Sequence, residues 1–232
     1  MISSKLLNGL NGVVVIPGDK SISHRSIILP SISNGRCEIN NLLKSQDVLH
    51  TIDAFKQMGV NIFDEDNKTI IEGKGLGSLL KSKTEIYLGN SGTSARLLIG
   101  LLSSQKFNSE ITGDESLSSR PMKRISDPLS LMGANISTSN GSLPIKILGR
   151  ELNNATINIT IPSAQIKSGL ILAALNTNGI TTLIENNVTR DHTEIMLEEF
   201  DADINIENID QKKIIKIKGK KELHSKNIEV PS

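Results

Sequence analysis

The sequence has one cysteine, no tryptophan and almost no aromatic residues. Aromatic side chains make up 2% of the 232 residues, too few for the stacked platforms that bind single-stranded nucleic acids. The lone cysteine, Cys37, excludes an intramolecular disulfide and is typical of a reducing compartment, so we expect a cytoplasmic protein. Because Cys37 falls in a stretch that is predicted to be a buried strand, we interpret its thiol as a packing group rather than a nucleophile.

The sequence also lacks a large net charge and long apolar runs. The net charge is +1, which indicates neither a nucleic-acid nor a membrane partner. No apolar stretch reaches the length that spans a bilayer, and we expect no secretion signal, because the N-terminus lacks a suitable apolar run. Hydrophobic residues make up 37% of the chain, enough for the core of one large domain or two small ones.

One pattern is repeated three times, at a spacing of about 72 residues. The copies cover 35–62, 108–136 and 179–204, and each runs from a short strand through a helix to a turn. Gly59 and Gly133 occupy this turn in the first two copies, and Asp201 replaces glycine in the third. Aspartate tolerates the left-handed conformation better than most residues, so the turn can be kept. The repetition predicts three equivalent units.

Hydrophobic periodicity gives each unit the order β-α-β-α-β-β. The predicted helices are 21–32, 46–58, 93–102, 123–132, 165–175 and 192–200. The predicted strands are 13–16, 37–42, 60–64, 69–73, 109–112, 135–138, 143–148, 181–185, 203–207 and 214–218. One helix of each unit is too apolar to lie on a surface. We therefore predict an α/β (α+β) fold with pseudo-threefold symmetry, in which sheets enclose three apolar helices.

Polar and basic residues stand at the start of the apolar helix in every unit. A helix start offers free backbone N–H groups and a partial positive charge, which favour anions. The residues concerned are Lys20, Ser21, Ser23 and Arg25; Asn90, Ser91, Gly92, Thr93 and Arg96; and Ser163, Gln165 and Lys167. Arg120 and Arg190 precede the second helix of their units. If the three starts meet at one face, the pattern predicts a site for a phosphorylated small molecule rich in oxygen atoms.

The same residues also have simpler, structural interpretations. Serine, threonine and asparagine at helix starts commonly act as N-caps, and Arg120 before a proline is typical of a helix entry. We expect His24 and His192 to be structural rather than catalytic, and His50 and His224 to lie on the surface. Capping alone does not explain why basic and hydroxyl groups recur at equivalent positions in all three units.

Five segments resemble the motifs of 5-enolpyruvylshikimate-3-phosphate (EPSP) synthases, in the same order and spacing. They are 17–25 (PGDKSISHR), 88–93 (LGNSGT), 120–122 (RPM), 163–168 (SAQIKS) and 189–194 (TRDHTE), and three of them look most like the bacterial class II enzymes. The resemblance implies the inside-out α/β barrel of the enolpyruvyl transferases. It also implies a transferase of the shikimate pathway of aromatic amino-acid biosynthesis. The reaction moves the enolpyruvyl group of phosphoenolpyruvate (PEP) to the 5-hydroxyl of shikimate 3-phosphate and releases phosphate, with no metal or cofactor.

The same resemblance implies roles for residues of these motifs. The residues expected to bind shikimate 3-phosphate are Lys20, Ser21, Arg25, Ser163, Ala164, Gln165 and Arg190. Those expected to bind PEP are Lys20, Asn90, Gly92, Arg120 and Gln165. Lys20 is also expected to act in catalysis through its charge. The inhibitor glyphosate occupies the PEP site in this family, and Gly92 would leave that site open to it.

Members of this family have two similar three-unit domains, with the active site in the cleft between them. We expect one such domain at 13–230, with units near 13–75, 84–150 and 156–221, and a strand or linker of the other domain at 1–12. The general acid and base would belong to the missing C-terminal domain. We therefore expect a half-enzyme that binds shikimate 3-phosphate, is inactive alone, and needs that domain in cis or in trans.

Three alternatives come from related folds or from loss of activity. A UDP-N-acetylglucosamine enolpyruvyl transferase is expected to have Lys-Asn at the first helix and a reactive loop cysteine, whereas this chain has Lys20-Ser21 and the strand residue Cys37. An RNA phosphate-end cyclase is disfavoured, because the chain has no basic stripe and few aromatics. A non-catalytic anion-binding module is the alternative that the motifs leave open.

Overall fold

The computed structural model of the protein describes residues 12–14 and 16–232, and these form seven helices and twelve strands. The helices are α1 (Lys20–Ser31), α2 (Gln46–Gln57), α3 (Gly92–Ser103), α4 (Glu115–Ser118), α5 (Lys123–Ser130), α6 (Ala164–Ala174) and α7 (His192–Glu199). The strands are β1 (Asn34–Asn40), β2 (Asn61–Glu65), β3 (Lys68–Lys74), β4 (Ile86–Tyr87), β5 (Ser109–Thr112), β6 (Asn135–Ser139), β7 (Ser142–Leu148), β8 (Thr156–Ile159), β9 (Ile180–Glu185), β10 (Asp203–Ile209), β11 (Lys212–Lys218) and β12 (Ile228–Glu229).

All six predicted helices are present, and their ends lie within two residues of the predicted ones. In the described part of the chain, none of the helices is long and apolar enough to cross a bilayer. The nine predicted strands that follow residue 36 are also confirmed. The elements α4, β4, β8 and β12 have no predicted bounds, because they have four residues or fewer and show no recognisable period.

The strands form three four-stranded sheets with one common order. The orders are β12-β1-β3-β2, β4-β5-β7-β6 and β8-β9-β11-β10. In each sheet the first two strands are parallel, and the remaining neighbours are antiparallel. This arrangement confirms the predicted α/β fold of three βαβαββ units with pseudo-threefold symmetry.

The first strand of the first unit does not lie where we predict it. The described residues of 13–16 belong to no strand, and Val13 is 97% exposed; Val15 lies outside the described residues. The strand β12, from the other end of the chain, takes the place beside β1, and Ile39 lies opposite Ile228. A β-branched run shows local propensity, but a strand also needs a free sheet edge, and β12 occupies that edge. Our prediction for 1–12 falls outside the described residues except at Gly12, which lies in a bend.

The apolar helices α1, α3 and α6 form the core and are buried along most of their length, as predicted. Helices α3 and α6 contact each other through glycine, since a Cβ atom on Gly100 would lie 1.9 Å from the carbonyl oxygen of Gly169. Just past the C-terminal ends of the two helices, Asn176 donates to the carbonyl oxygen of Ser104 at 2.8 Å. At their starts, Gln165 donates to the Thr93 hydroxyl at 3.0 Å, so the two helices run side by side over their whole length.

Two local predictions about single residues are also confirmed. Asp201 has φ = +63°, close to the +85° of Gly59 and the +86° of Gly133, so it adopts the left-handed turn that glycine makes in the other units. Cys37 is fully buried in β1, and burial raises the pKa of its thiol to about 12. The thiol is therefore protonated at neutral pH and acts as a packing group.

Candidate active site

The three apolar helices each begin at a side chain that caps them. The Asp19 carboxylate accepts from the backbone N–H three residues on, at 2.7 Å, at the start of α1. The hydroxyls of Ser91 and Ser163 do the same for α3 and α6, at 3.2 Å and 3.4 Å. The N-cap interpretation is therefore correct for Ser91 and Ser163, but each cap satisfies only one of several free N–H groups.

Gln165 joins the starts of α3 and α6. Its Nε2 donates to Thr93 Oγ1 at 3.0 Å, and its Oε1 accepts from Arg96 Nη1 at 2.8 Å. Both contacts connect residues that are about seventy positions apart in the chain, and Thr93 and Gln165 stand at equivalent places in two repeats. The helix starts of the second and third units therefore meet, as the repeats predict.

Arg25 connects the start of α1 to helices α6 and α7. Its guanidinium donates to Ser168 Oγ on α6 and to Thr193 Oγ1 on α7, both at 2.6 Å, and to the Ser21 hydroxyl at 2.8 Å. Burial lowers the pKa of Arg25 to about 10, against the opposing effect of the Glu194 charge, so the side chain stays protonated at neutral pH. Arg25 is only 2% exposed, so it lies beneath the site and holds Ser21 in place.

A polar cavity of about 470 Å³ lies above the helix starts. Its lining consists of Lys20, Asp47, Asn90, Gly92, Thr93, Arg120 and Gln165. All five residues expected to bind PEP are among them. Lys20 forms an ion pair with Asp47, and Arg120 donates to the side-chain oxygen of Asn90.

Gly92 lies where two guanidinium groups approach the backbone. A Cβ atom at this position would lie 2.8 Å from Nη1 of Arg120 and 2.8 Å from Nη1 of Arg96. Burial lowers the pKa of Arg96, and the nearby charges of Arg120 and Arg124 lower it further. The absence of a side chain at Gly92 thus allows two cations to share one small region.

A second cavity of about 490 Å³ adjoins the first at Gln165. Its lining consists of Pro162, Ser163, Ala164, Gln165, Thr189 and Arg190. Four of the residues expected to bind shikimate 3-phosphate are therefore together, and Lys20, a fifth, lines the first cavity. Ser21 and Arg25 belong to neither lining and lie next to each other at the start of α1.

The charges at the two cavities are mainly positive. Lys20, Arg120 and Arg190 line them, and Asp47 is the single carboxylate in the two described linings. In the described part of the chain, no group of three or more His, Cys, Asp or Glu side chains is placed to hold a metal ion. Cations together with free N–H groups at helix starts suit an anionic ligand.

One residue predicted at the site and one predicted on the surface are buried or half-buried instead. Lys167 is fully buried and contacts Glu185 and Glu194, so the expectation that it presents its charge at the helix starts is wrong. His50 is half-buried with its ring edge-on to Tyr87 at 5.4 Å, so its assignment to the surface is wrong too. His224 is exposed, as predicted.

His24 is structural, as predicted. Its ring is fully buried, and Nδ1 lies 2.9 Å from Thr51 Oγ1 on α2 and 3.2 Å from Ser94 Oγ on α3. Burial lowers the pKa of His24 to about 4, although the Asp47 charge opposes the shift, so the ring is neutral at pH 7. This polar contact joins the starts of the first two units beneath Lys20.

Asp47 is the charged lining residue that the motifs miss. It lies in the first turn of α2 and reaches Lys20 because α1 and α2 pack together. An acidic residue in the first turn of a helix is common and by itself signals only a favourable interaction with the helix dipole. Only its position beside Lys20 indicates a part in the site.

Known proteins are similar to this chain in sequence and in fold. Residues 6–232 match the family described as EPSP synthase (3-phosphoshikimate 1-carboxyvinyltransferase). The 3-phosphoshikimate 1-carboxyvinyltransferase of Ruthia magnifica subsp. Calyptogena magnifica is 48% identical over 230 residues, which are 98% of this chain and 52% of that protein. The enzyme of the same name from Leuconostoc mesenteroides is 43% identical over 227 residues, 97% of this chain and 51% of that protein. The solved EPSP synthase from Acinetobacter baumannii superposes with a TM-score of 0.88 at 44% identity, over 95% of this chain and 50% of that one.

The three-unit architecture and the cationic helix starts define an α/β domain of the enolpyruvyl transferase type. Within that class, the chain belongs to the EPSP synthase family. It spans about half the length of the relatives it matches.

Proposed function

We propose that the protein takes part in the EPSP synthase reaction, in which the 5-hydroxyl of shikimate 3-phosphate adds to C2 of PEP and phosphate is then eliminated. The observation that carries this proposal is the pair of cavities that share Gln165, with Lys20 and Arg120 on one side and Arg190 on the other. Two anionic substrates must lie next to each other for the transfer, and two adjoining cationic cavities suit that requirement.

The cavity around Arg190 suits shikimate 3-phosphate. Arg190 is exposed and projects from the turn before α7, so its guanidinium can take the phosphate through two parallel hydrogen bonds. Ser163 and Ala164 add a hydroxyl and a backbone N–H at the start of α6. Ser21, held by Arg25, would contact the ring hydroxyls from the α1 side.

The cavity around Arg120 suits PEP. Arg120 and Lys20 supply two cations for its phosphate and carboxylate, and Asn90 orients Arg120. Lys20 is placed to stabilise negative charge that develops during transfer. The one carboxylate of the described linings, Asp47, is paired with Lys20, so we place the general acid and base in the part of the relatives' length that this chain does not span.

We therefore propose that the chain holds shikimate 3-phosphate by itself but requires a complementary domain, in cis or in trans, for turnover. The matched relatives are named 3-phosphoshikimate 1-carboxyvinyltransferases, which does not favour a UDP-N-acetylglucosamine substrate. A cytoplasmic location belongs to the same proposal and is supported by the single, buried cysteine Cys37. Neither nucleic acid nor membrane is among the proposed partners.

Arg190→Ala is expected to weaken the binding of shikimate 3-phosphate by about 10- to 100-fold, because a charge-assisted hydrogen-bonded contact is lost. Calorimetric titration of the ligand into the purified chain measures the change. Arg150→Ala is the matched control, since Arg150 is also exposed but lines neither cavity. Absence of binding to the folded wild-type chain, or equal affinity of the Arg190→Ala variant, would contradict the assignment of this cavity.

Gly92→Ala is expected to reduce inhibition by glyphosate once the chain is combined in trans with the C-terminal half of a relative. The added Cβ would displace Arg120 and Arg96 from the region that an anionic inhibitor occupies beside PEP's position. Phosphate release at increasing glyphosate concentration measures the effect, and we expect a shift of about 10-fold or more. Gly77→Ala is the control, because a Cβ there meets no atom within 4 Å.

Two results of that experiment would change the proposal. Equal inhibition of the Gly92→Ala and wild-type mixtures would show that glyphosate does not bind beside Gly92. A folded mixture that binds shikimate 3-phosphate but releases no phosphate would favour the non-catalytic anion-binding module.

A further inference from the structure

A cluster of buried charges lies directly beneath Arg190. Lys167, Glu185 and Glu194 are each no more than 1% exposed, and Lys213 is 6% exposed. These side chains come from α6, β9, α7 and β11 and line neither of the two cavities. The reaction proposed above assigns them no part.

Lys167 is the centre of this cluster. Its Nζ lies 3.0 Å from Glu185 Oε2 and 2.8 Å from Glu194 Oε1, so one ammonium group joins α6 to the end of β9 and to the first turn of α7. The segment 186–191 connects β9 to α7 and carries Arg190. The buried lysine therefore joins both ends of the connection that presents the cation.

The backbone of Thr189 is held by the same groups. Glu185 Oε1 accepts from the Thr189 backbone N–H at 3.0 Å and from the Thr189 hydroxyl, and Lys167 Nζ lies 3.4 Å from the Thr189 carbonyl oxygen. On the other side of Arg190, Asp191 lies 3.4 Å from Lys213, which is itself 3.5 Å from Glu194. Arg190 thus lies between two residues that are bonded to the buried charges.

Arg190 itself forms no hydrogen bond or ion pair with any residue in the described part of the chain. The point from which it reaches the cavity is set by the backbone on which it stands, because its own side chain has no partner among the described residues. Burying paired charges is a weak means of stabilising a fold, since desolvation offsets most of the attraction. A buried ion pair that fixes the backbone next to a binding residue can instead increase ligand affinity, because less conformational entropy is lost when the ligand binds.

We propose that the Lys167–Glu185 ion pair is a positioning device for Arg190. Glu185 holds Lys167 with one oxygen and Thr189 with the other, and this arrangement fixes the backbone from which Arg190 reaches the phosphate of its ligand. Lys167 and Glu185 are positioning residues, not catalytic ones. The identity of the ligand as shikimate 3-phosphate rests on the proposed function, whereas the fixation of Thr189 does not.

Glu185→Gln tests the proposal in the purified chain. A carboxamide has one acceptor oxygen where the carboxylate has two, so the variant cannot accept from both Lys167 and the Thr189 backbone N–H. We expect faster hydrogen exchange at the Thr189 amide without ligand, and about 10-fold weaker binding of shikimate 3-phosphate. We also expect Arg190→Ala to weaken binding much less in the Glu185→Gln background than in the wild type, because a misplaced arginine contributes little.

Two further variants separate positioning from general loss of stability. Glu151→Gln is the matched control, because Glu151 forms an exposed pair with Lys220 at 3.1 Å, and it should change neither exchange at Thr189 nor ligand affinity. Thr189→Val removes only the hydroxyl that Glu185 accepts from. Because Thr189 also lines the second cavity, its measure is hydrogen exchange at the residue 189 amide rather than affinity, and we expect a smaller increase than in Glu185→Gln, in a chain that folds even if Glu185→Gln does not.

Additive losses from Glu185→Gln and Arg190→Ala, or unchanged exchange at Thr189, would overturn the positioning role. If the folded wild-type chain binds no shikimate 3-phosphate, the proposed function loses its binding step. In that case, exchange at Thr189 in Glu185→Gln against Glu151→Gln still decides whether the ion pair fixes the segment.

Discussion

Gly100→Ala is expected to lower the free energy of unfolding by about 3 kcal/mol, even after the better helix propensity of alanine, about 1 kcal/mol, is taken into account. The added Cβ would lie 1.9 Å from the carbonyl oxygen of Gly169, and no rotamer change can relieve a clash between a Cβ and a backbone atom. Helices α3 and α6 must therefore move apart along the buried face that they share.

The same displacement reaches the site, because the two helix starts carry Thr93 and Gln165, which are hydrogen-bonded at 3.0 Å. We expect a melting temperature lower by roughly 6–12 °C, together with weaker binding of shikimate 3-phosphate. Thermal unfolding followed by circular dichroism measures the first effect. Gly77→Ala, where a Cβ meets open space, should change stability by no more than about 0.5 kcal/mol. Equal melting temperatures of the Gly100→Ala and Gly77→Ala variants would contradict the close packing of α3 on α6.

The second large effect is a loss of stability at acidic pH that depends on His24. Burial lowers the pKa of His24 from 6.5 to about 4 in the folded chain. Between these pH values the unfolded chain binds a proton that the folded chain does not bind, so stability decreases as the pH falls from 6.5 towards 4. Below pH 4 the group has no further effect. The shift corresponds to a loss on the order of 3 kcal/mol across this range.

His24→Asn is expected to remove most of this slope. Asparagine can keep the contact that His24 Nδ1 makes with Thr51 Oγ1, at 2.9 Å in the wild type, but it does not titrate. The variant should be less stable at pH 7, because a ring is lost from a buried site, yet its stability should fall less towards pH 4. Urea unfolding at several pH values measures both effects.

The control for this prediction is His224→Asn, because His224 is exposed and lies outside the buried cluster around His24. Its pH dependence should follow that of the wild type between pH 6.5 and 4. A His24→Asn variant with the wild-type slope would show that protonation of His24 does not oppose folding in this range.

The order of the elements and most residues of the candidate site can be predicted from local patterns. Apolar periods of 3.6 and 2 residues locate the six long helices and nine strands, because each of these elements buries one face along its own length. The repeats also predict that equivalent helix starts meet. The hydrogen bond between Thr93 and Gln165, which are equivalent residues of two units, confirms this.

Errors in the predictions arise where a residue's environment depends on distant parts of the chain. Residues 13–16 have high β-propensity, but the strand beside β1 comes from Ile228–Glu229. Lys167 stands one turn into α6, as Arg25 and Arg96 stand in their helices, but acidic residues of β9 and α7 surround it. A pattern within a few residues of the sequence cannot predict contacts with these distant residues.

The sequence by itself determined the three units, the residues at their helix starts and the membership of the family, because repeats and motifs are local features of the chain. The tertiary structure decided which strand lies at the edge of the first sheet, that Asp47 pairs with Lys20, and that Lys167 and Glu185 contact each other beneath the segment 186–191, which carries Arg190. Each of these depends on burial and on contacts between residues far apart in sequence. Because such contacts form only when the units pack together, neither the periodicity nor the composition of the sequence indicates them.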